Sequence, residues 1–487
     1  MTFITLFGKI FRLLFICWLV ISISSCKKLI EVDPPINEII GSEIYSSNTT
    51  AISVLTGIYT SMSSNGIFNG EQSVSIRPGL SADELIPVIN ASSILTLIYH
   101  NSLTNNGDQL YWSELYAYLY RINSAIEGIS ASVALTTDVK KRLLAEAKFL
   151  RAFMYFYLVN FYGSVPLLLS TDKNINVIAP REPMVNLYAQ MINDLKEAQG
   201  DLSDQYLNAD LITNTSERIR PNKFAVSALL ARVYLYNQNW ALAEQEASKV
   251  IDNTAMYMLE NPKNVFLKGS REAIWQLQPV NLNQNTIDAE VLVLAPTELN
   301  PRGGPTESRP FYLSQSLLKN YSFEDQRRVN WIDSVVSDGI VYYYPFKYKA
   351  YLPQERTEYL TVLRLAEQYL IRAEARAQMN RIGGSNSAMD DINIIRTRAG
   401  LSDIVASSKE EVLDIILKER RKELFTEWGH RWFDLKRTGN VDMVMQKVAI
   451  DKGIVWNSYK ALYPIPVQDI QRNPSLRGHQ NPGYPER

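Results

Sequence analysis

The sequence predicts a mostly α-helical protein, in which helix pairs stack into a scaffold crossed by long irregular insertions and a few short strands. Three observations predict this. Apolar residues recur at three- and four-residue steps over long stretches, two helix pairs alternate small and large residues around a tight break, and turn-rich segments of irregular length separate them.

The longest periodic stretch is VKKRLLAEAKFLRAFMYFYLVNFY at 139–162, where Leu143, Ala147, Leu150, Met154, Tyr157 and Phe161 make one apolar face. Gly163 stands where a C-terminal cap belongs and Pro166 supplies a stop. Tyr111 and Trp112 open an earlier helix that packs inward. Further helices are expected at 184–198 and 223–236, and NQNW at 237–240 turns the chain into another at 241–251. Ala228, Leu229, Ala231, Tyr234 and Leu235, then Trp240, Ala243 and Ala247, follow the small/large alternation of a tetratricopeptide helix pair. Alanines let the two axes approach while large residues fill the gaps. A similar pair is written at 362–380 and 388–401, parted by Gly383-Gly384. The spacing between pairs is irregular, so a regular solenoid is excluded. Insertions at 61–108, 200–222, 278–310, 325–358 and 438–460 are where ligand contacts are expected, because irregular segments on a rigid scaffold can vary without unfolding it.

Composition excludes several function classes. Fifty Lys plus Arg face 51 Asp plus Glu, with no long basic run interleaved with aromatics, so nucleic acid is not an expected partner. Three histidines (His100, His430, His479) are scattered, and the two cysteines, Cys17 and Cys26, lie at the N-terminus. No metal cluster and no cofactor is therefore predicted. Glu419 and Glu423 in KERRKEL share a helical face as paired glycosidase carboxylates do, yet Arg420, Arg421 and Lys422 are interleaved with them. Ion pairing depresses both pKa values, whereas a general acid needs one raised, so no catalytic residue is assigned and the sequence reads as a binder.

The N-terminus reads as an export signal with Lys9 and Arg12 before the apolar run LLFICWLVISI, too short for a membrane span. Ile23-Ser24-Ser25-Cys26 then has the aliphatic-small-small-cysteine order of a lipoprotein signal, which makes Cys26 the expected lipidation site and a lipid anchor the expected membrane attachment. The domain reading is a signal peptide at 1–25, a tether at 26–45, and two regions at 46–260 and 261–487 forming one globule.

Tyr 27 and Trp 8 supply many rings able to stack on apolar faces of sugars, with polar side chains meeting the hydroxyls. The candidate ligand residues are Asp83 and Glu84 in SADEL, Trp275 in EAIWQLQ, Trp331 in RVNWID, and Tyr342, Tyr343 and Tyr344 in YYYPFKY. The last stretch reads equally as a half-buried strand whose rings merely pack. GHRWFDLKRTG at 429–439 looks like an active site but reads better as structure: Gly429 ends a helix running over 410–428, Trp432, Phe433 and Leu435 anchor it, and Arg431, Asp434 and Arg437 enter an ion network with Glu419, Glu423 or Glu427.

The segments at 145–168, 222–251, 363–375, 392–401, 416–439 and 462–470, with NPGY at 481–484, resemble in order and spacing the motifs of the SusD/RagB family of outer-membrane nutrient-binding lipoproteins of Bacteroidetes. One departure is Trp428 before the glycine, where the family usually shows a Glu-Gly run. The resemblance implies tetratricopeptide-type helix pairs, a lipid anchor in the outer membrane with the body on the cell surface, and a SusC-like TonB-dependent barrel as partner. It also implies an oligosaccharide or other nutrient ligand, held by variable loops rather than by the recognisable motifs. The alternative from a different class is a tetratricopeptide-like surface scaffold that binds a protein and no small ligand.

Overall fold

The computed structural model describes residues 41–486 except 65, 89–91 and 106–109. The expected signal peptide and the expected lipidation site Cys26 lie outside the described residues.

The chain opens with α1 (Asn48–Ser63), a short α2 (Arg77–Ser81), strand β1 (Leu85–Pro87) and α3 (Ser93–Tyr99). Next come α4 (Trp112–Ala131) and α5 (Thr137–Tyr162). Tyr111 and Trp112 are buried at the start of α4, as their apolar neighbours predict. From Phe149 to Phe161, α5 is buried on nearly every side, which is the mark of a helix surrounded by others. It ends at Gly163, whose backbone (φ 73°, ψ −129°) is one that only a residue without a side chain adopts cheaply.

α5 packs against α4 and against α6 (Met184–Asp201), where Arg151 forks onto Asp194 with Nε–Oδ2 2.8 Å and Nη2–Oδ1 2.7 Å. α6 leads to α7 (Lys223–Tyr236) and α8 (Trp240–Ile251). Asn222 and Asn239 cap the two helices by accepting from the backbone N–H of Ala225 and Leu242, and Gln238 takes the left-handed turn between them. Ala228 and Ala231 are fully buried, as close axial approach requires.

Strand β2 (Ala273–Leu277) follows, then α9 (Ile287–Leu292), β3 (Phe311–Leu313), α10 (Gln326–Trp331) and the hairpin β4 (Ile332–Ser337) with β5 (Ile340–Pro345). The hairpin turns on Asp338-Gly339, both at positive φ, the pairing that a two-residue turn favours. β6 (Leu360–Arg364) pairs antiparallel with β2 and runs directly into α11 (Leu365–Gln378). The helix expected from 362 therefore starts three residues later, because Val362 to Arg364 belong to a strand buried on both faces, which lacks the alternation of a half-exposed strand.

α12 (Ala388–Arg398), α13 (Lys409–Leu424), α14 (His430–Arg437) and α15 (Val441–Lys452) complete the scaffold. α8 packs on α11, and α11 on α12 and α13, continuing the stack α5–α6–α7–α8. Arg232 of α7 binds Glu367 of α11 through two bonds of 2.6 and 2.7 Å in the core. The 438–460 segment, expected to be irregular, contains α15, packed through Met445 and Ala449.

α13 ends at Leu424, short of the expected 428, and Gly429 begins α14 instead of ending α13. Between the two helices the chain doubles back through Thr426 (φ 51°), Trp428 (φ 49°) and Gly429 (φ 73°). A Cβ on Gly429 would lie 3.1 Å from the Val74 carbonyl oxygen. This switchback grips the N-terminal insertion: Trp428 N donates to Ser75 Oγ at 3.0 Å and Thr426 N to Glu84 Oε2 at 3.1 Å.

Candidate functional site

The grip of α13 and α14 fixes residues 74–84 and so places β1 and α3 beside β3. Ile86 faces Tyr312 in the antiparallel β1–β3 register, and β3 lies against β5 of the hairpin. Tyr342 of β5 meets Tyr312 edge to face, with ring centroids 5.2 Å apart. Tyr99, at the end of α3, lies close enough for Tyr312 to help raise its hydroxyl pKa, after burial, which is the larger cause. These three half-buried tyrosines form a row across the insertions.

Tyr99 alone of the three lines a neighbouring cavity of about 640 Å³, while Tyr312 and Tyr342 lie beyond its lining and pack against Val293, Leu294 and Tyr344. Leu85, Ile86, Tyr99 and Val448 form its apolar wall, and Ser316, Lys319, Asn320, Arg421 and Lys452 bring polar groups to it. Lys452 donates from Nζ to the carbonyl oxygens of Leu80 (2.7 Å) and Ser81 (3.0 Å) and sits 4.8 Å from the Tyr99 ring centre. Burial pushes its ammonium down to about 7, against the pull of Asp83. An apolar, ring-bearing wall facing a set of donors and acceptors suits a sugar, whose two faces and hydroxyl rim differ in the same way.

A cavity of about 710 Å³ lies on the other side of Asn320 and Arg421, against α7, α11, α13 and α15. Its charged walls are occupied by the ion pairs Arg437–Glu374 (Nη2–Oε2 2.8 Å) and Lys418–Asp414 (2.6 Å), and Trp240 is the one half-exposed ring among its lining residues. The smaller cavity, with Tyr99 in its wall and Tyr312 and Tyr342 on the adjoining strands, is the candidate site.

The structure divides the residues singled out from sequence. Tyr342 joins the row, and Tyr343, on the opposite face of β5, is half-buried beneath the Arg328 guanidinium. Tyr344 is buried against Val293 and Leu294, and its hydroxyl donates to Asp333 Oδ2 at 3.2 Å. Trp275 and Trp331 are fully buried and present no face to a ligand. Trp275 packs among Tyr59, Phe149 and Phe153, and its Nε1 donates to the Ile219 carbonyl oxygen. Trp331 donates to the Pro262 carbonyl oxygen at 2.7 Å, and Lys347, Arg364 and Arg398 lie within 4.9 to 5.8 Å of its ring.

Asp83 and Glu84 are buried, and both are held by the signature segment. Arg431 takes Asp83 with Nε–Oδ1 2.8 Å and Nη2–Oδ2 3.0 Å, and Arg421 adds a contact of 2.8 Å. Burial alone would raise the Asp83 carboxyl, but the two guanidinium groups outweigh it and hold the group well below the usual range. Glu84 has no such fork, so burial pushes its carboxyl up to about 7, against the Thr426 N–H. Asp83 touches the cavity only as its floor.

Glu419, Glu423 and Glu427 sit in a buried charge cluster whose arginine partners come from outside the 416–439 segment. Arg327 reaches Glu419 (2.6 Å) and Glu423 (3.0 Å), while Arg364 reaches Glu272 (2.9 Å), Glu423 (2.7 Å) and Glu427 (2.7 Å). Arg398 also pairs with Glu423 and Lys347 with Glu427. Arg431, Asp434 and Arg437 pair instead with Asp83, Arg420 and Glu374, because α14 turns away from the Glu face of α13 at the switchback. Burial would raise the Glu423 carboxyl, but Arg398, Arg364 and Arg327 hold it well below the usual range, and Glu419 is likewise held down by Arg327 and Lys422.

Tyr99, Tyr312, Lys319 and Arg421 were missed by reading along the chain. Tyr312 alone carried a signal, the alternation in PFYLS that marks a short strand.

Two family models match the chain: one described as the SusD family over residues 341–484, the other as starch-binding associating with outer membrane over 47–235. SusD-like protein P25 of Formosa agariphila is 24% identical over 96% of this chain and 98% of its own length. The starch-binding protein SusD of Bacteroides thetaiotaomicron is 25% identical over 70% of this chain and 73% of its own. A SusD superfamily protein of Parabacteroides distasonis superposes with a TM-score of 0.74 at 20% identity, covering 92% of this chain and all (100%) of that one.

Proposed function

The chain belongs to the SusD/RagB family, and from that premise we propose that it binds a glycan at the Tyr99–Tyr312–Tyr342 row and passes it to a SusC-like TonB-dependent barrel. It is a binding protein of the outer membrane and not an enzyme. Cys26, in its lipoprotein-type sequence, carries the anchor in this reading, with the body facing outward from the cell.

The observation that carries the proposal is the polar-edged cavity with Tyr99 in its wall and the half-buried Tyr312–Tyr342 pair on the strands beyond it. Ring faces bind the apolar face of a pyranose without forming or breaking a bond, and the neighbouring Asn320 and Ser316 are placed to meet hydroxyls. The starch-binding relative and the starch-binding description of the matching model support a glycan as the ligand class. Cargo handed to a transporter must also leave, which suits a shallow stack of rings better than a sealed pocket.

Calorimetric titration of the purified protein with oligosaccharide families is the direct test. Saturable binding that weakens on Tyr312→Ala supports the reading. Co-purification of a barrel from the native membrane with no binding to any oligosaccharide would favour the protein-scaffold alternative.

A further inference from the structure

The charges lining the candidate cavity do not cancel. Two carboxylates reach it. Asp83 has both oxygens committed to Arg431 and Arg421, and Asp451 stands exposed at the rim. On the cationic side, Lys319 is exposed at the rim, and its ammonium makes no hydrogen bond or ion pair among the described residues. Arg421 is more than nine-tenths buried and lines the same cavity. Its contacts among the described residues leave from Nη2, to the Asp83 carboxylate (2.8 Å), the Asp83 carbonyl oxygen (3.1 Å) and Ser316 Oγ (2.9 Å), while Nε is buried without a partner. A buried guanidinium with unused donors is costly unless something completes its bonding. Lys452 adds a second amine to the lining.

We propose that the glycan taken by this site carries an anionic substituent, a uronic-acid carboxylate or a sulfate ester, received between Lys319 and Arg421 while the Tyr99–Tyr312–Tyr342 row holds an adjoining sugar ring. The inference rests on the glycan-binding reading above and names the class of glycan. Both substituents present oxygens at a spacing that a planar guanidinium meets, and the lysine contributes a point charge at the entrance. The Lys319 ammonium stays hydrated when a neutral sugar binds, so the preference for acidic glycans is graded.

The test is an array of neutral, uronate-bearing and sulfated oligosaccharides on several backbones, probed with the purified protein and followed by titration of the best ligands. Binding concentrated in the anionic classes is expected, and the uronate and sulfate arms show which substituent fits. Lys319→Glu, a change at an exposed residue that leaves the fold intact, should weaken the anionic ligand about fivefold, as an exposed ion pair does, and leave a neutral ligand unchanged. Added salt should weaken only the anionic ligand. Binding confined to neutral glycans, or an anionic ligand indifferent to Lys319→Glu, overturns the inference and leaves glycan binding standing. Binding to no glycan at all overturns both.

Discussion

Arg431 and Asp83 stand 348 positions apart in sequence and meet through two parallel hydrogen bonds of 2.8 and 3.0 Å. The fork ties the family's signature helix to the loop leading into the candidate site, and both partners are buried. Removing one partner of such a pair strands the other charge, which costs about 3–5 kcal/mol. Asp83→Asn should therefore lower the free energy of unfolding by roughly that amount in denaturant titration, with weakened ligand binding as a consequence of a displaced β1. A variant of unchanged stability would show that the fork does not hold the loop.

Trp331 and Trp275 are core residues, and ligand binding should not report on them. Trp331→Phe removes the indole that donates to the Pro262 carbonyl oxygen and faces three cations, at a cost of about 1–3 kcal/mol. The melting temperature should fall while the affinity for any bound glycan stays the same. A specific loss of affinity at unchanged stability would reverse this assignment.

Tyr312 and Tyr342 should behave in the opposite way. Each is half-buried, so truncation to Ala removes an exposed ring face worth about 0.5–1.5 kcal/mol in stacking, up to about tenfold in affinity. Calorimetry on Tyr312→Ala and Tyr342→Ala should show weaker binding, with a modest fall in melting temperature from the lost contact between the two rings. Tyr343→Ala, on the other face of β5, provides the contrast.

Glu84 supplies a pH dependence. Its carboxyl is raised to about 7 by burial, so the folded protein holds this proton where the unfolded chain has released it. For an acid whose folded pKa is raised, stability falls as pH climbs from the ordinary carboxylate value through the folded one, and the penalty is complete above about 7. The shift corresponds to roughly 3 kcal/mol. Glu84→Gln abolishes this titration, so the variant should gain stability relative to the parent on going from pH 5 to pH 8. A stability difference that is flat across that range would place the ionised carboxylate in a better-solvated setting than its burial indicates.

Helix pairs were legible along the chain because helical order is local: side chains three and four residues apart share a face, and Asn222 and Asn239 cap helices two or three residues away. The same locality misled at 362–364, where a strand buried on both faces does not show the alternation that marks a half-exposed one, and at Gly429, whose role depends on Val74 far upstream. The binding face was read less well. YYYPFKY placed three tyrosines side by side, and only the packing of β3 against β5 separates Tyr342, in the row, from Tyr344, in the core.

By itself, the sequence determined the helical scaffold, the family, the signal-like N-terminus and the crowding of charge around residues 419–437. Only the tertiary structure decided which charges pair, which tryptophans are sealed and which tyrosines stay half-buried. Pairing and burial are properties of groups brought together from distant positions, as Arg364 draws Glu272, Glu423 and Glu427 around one guanidinium, and no periodicity along the chain records that meeting.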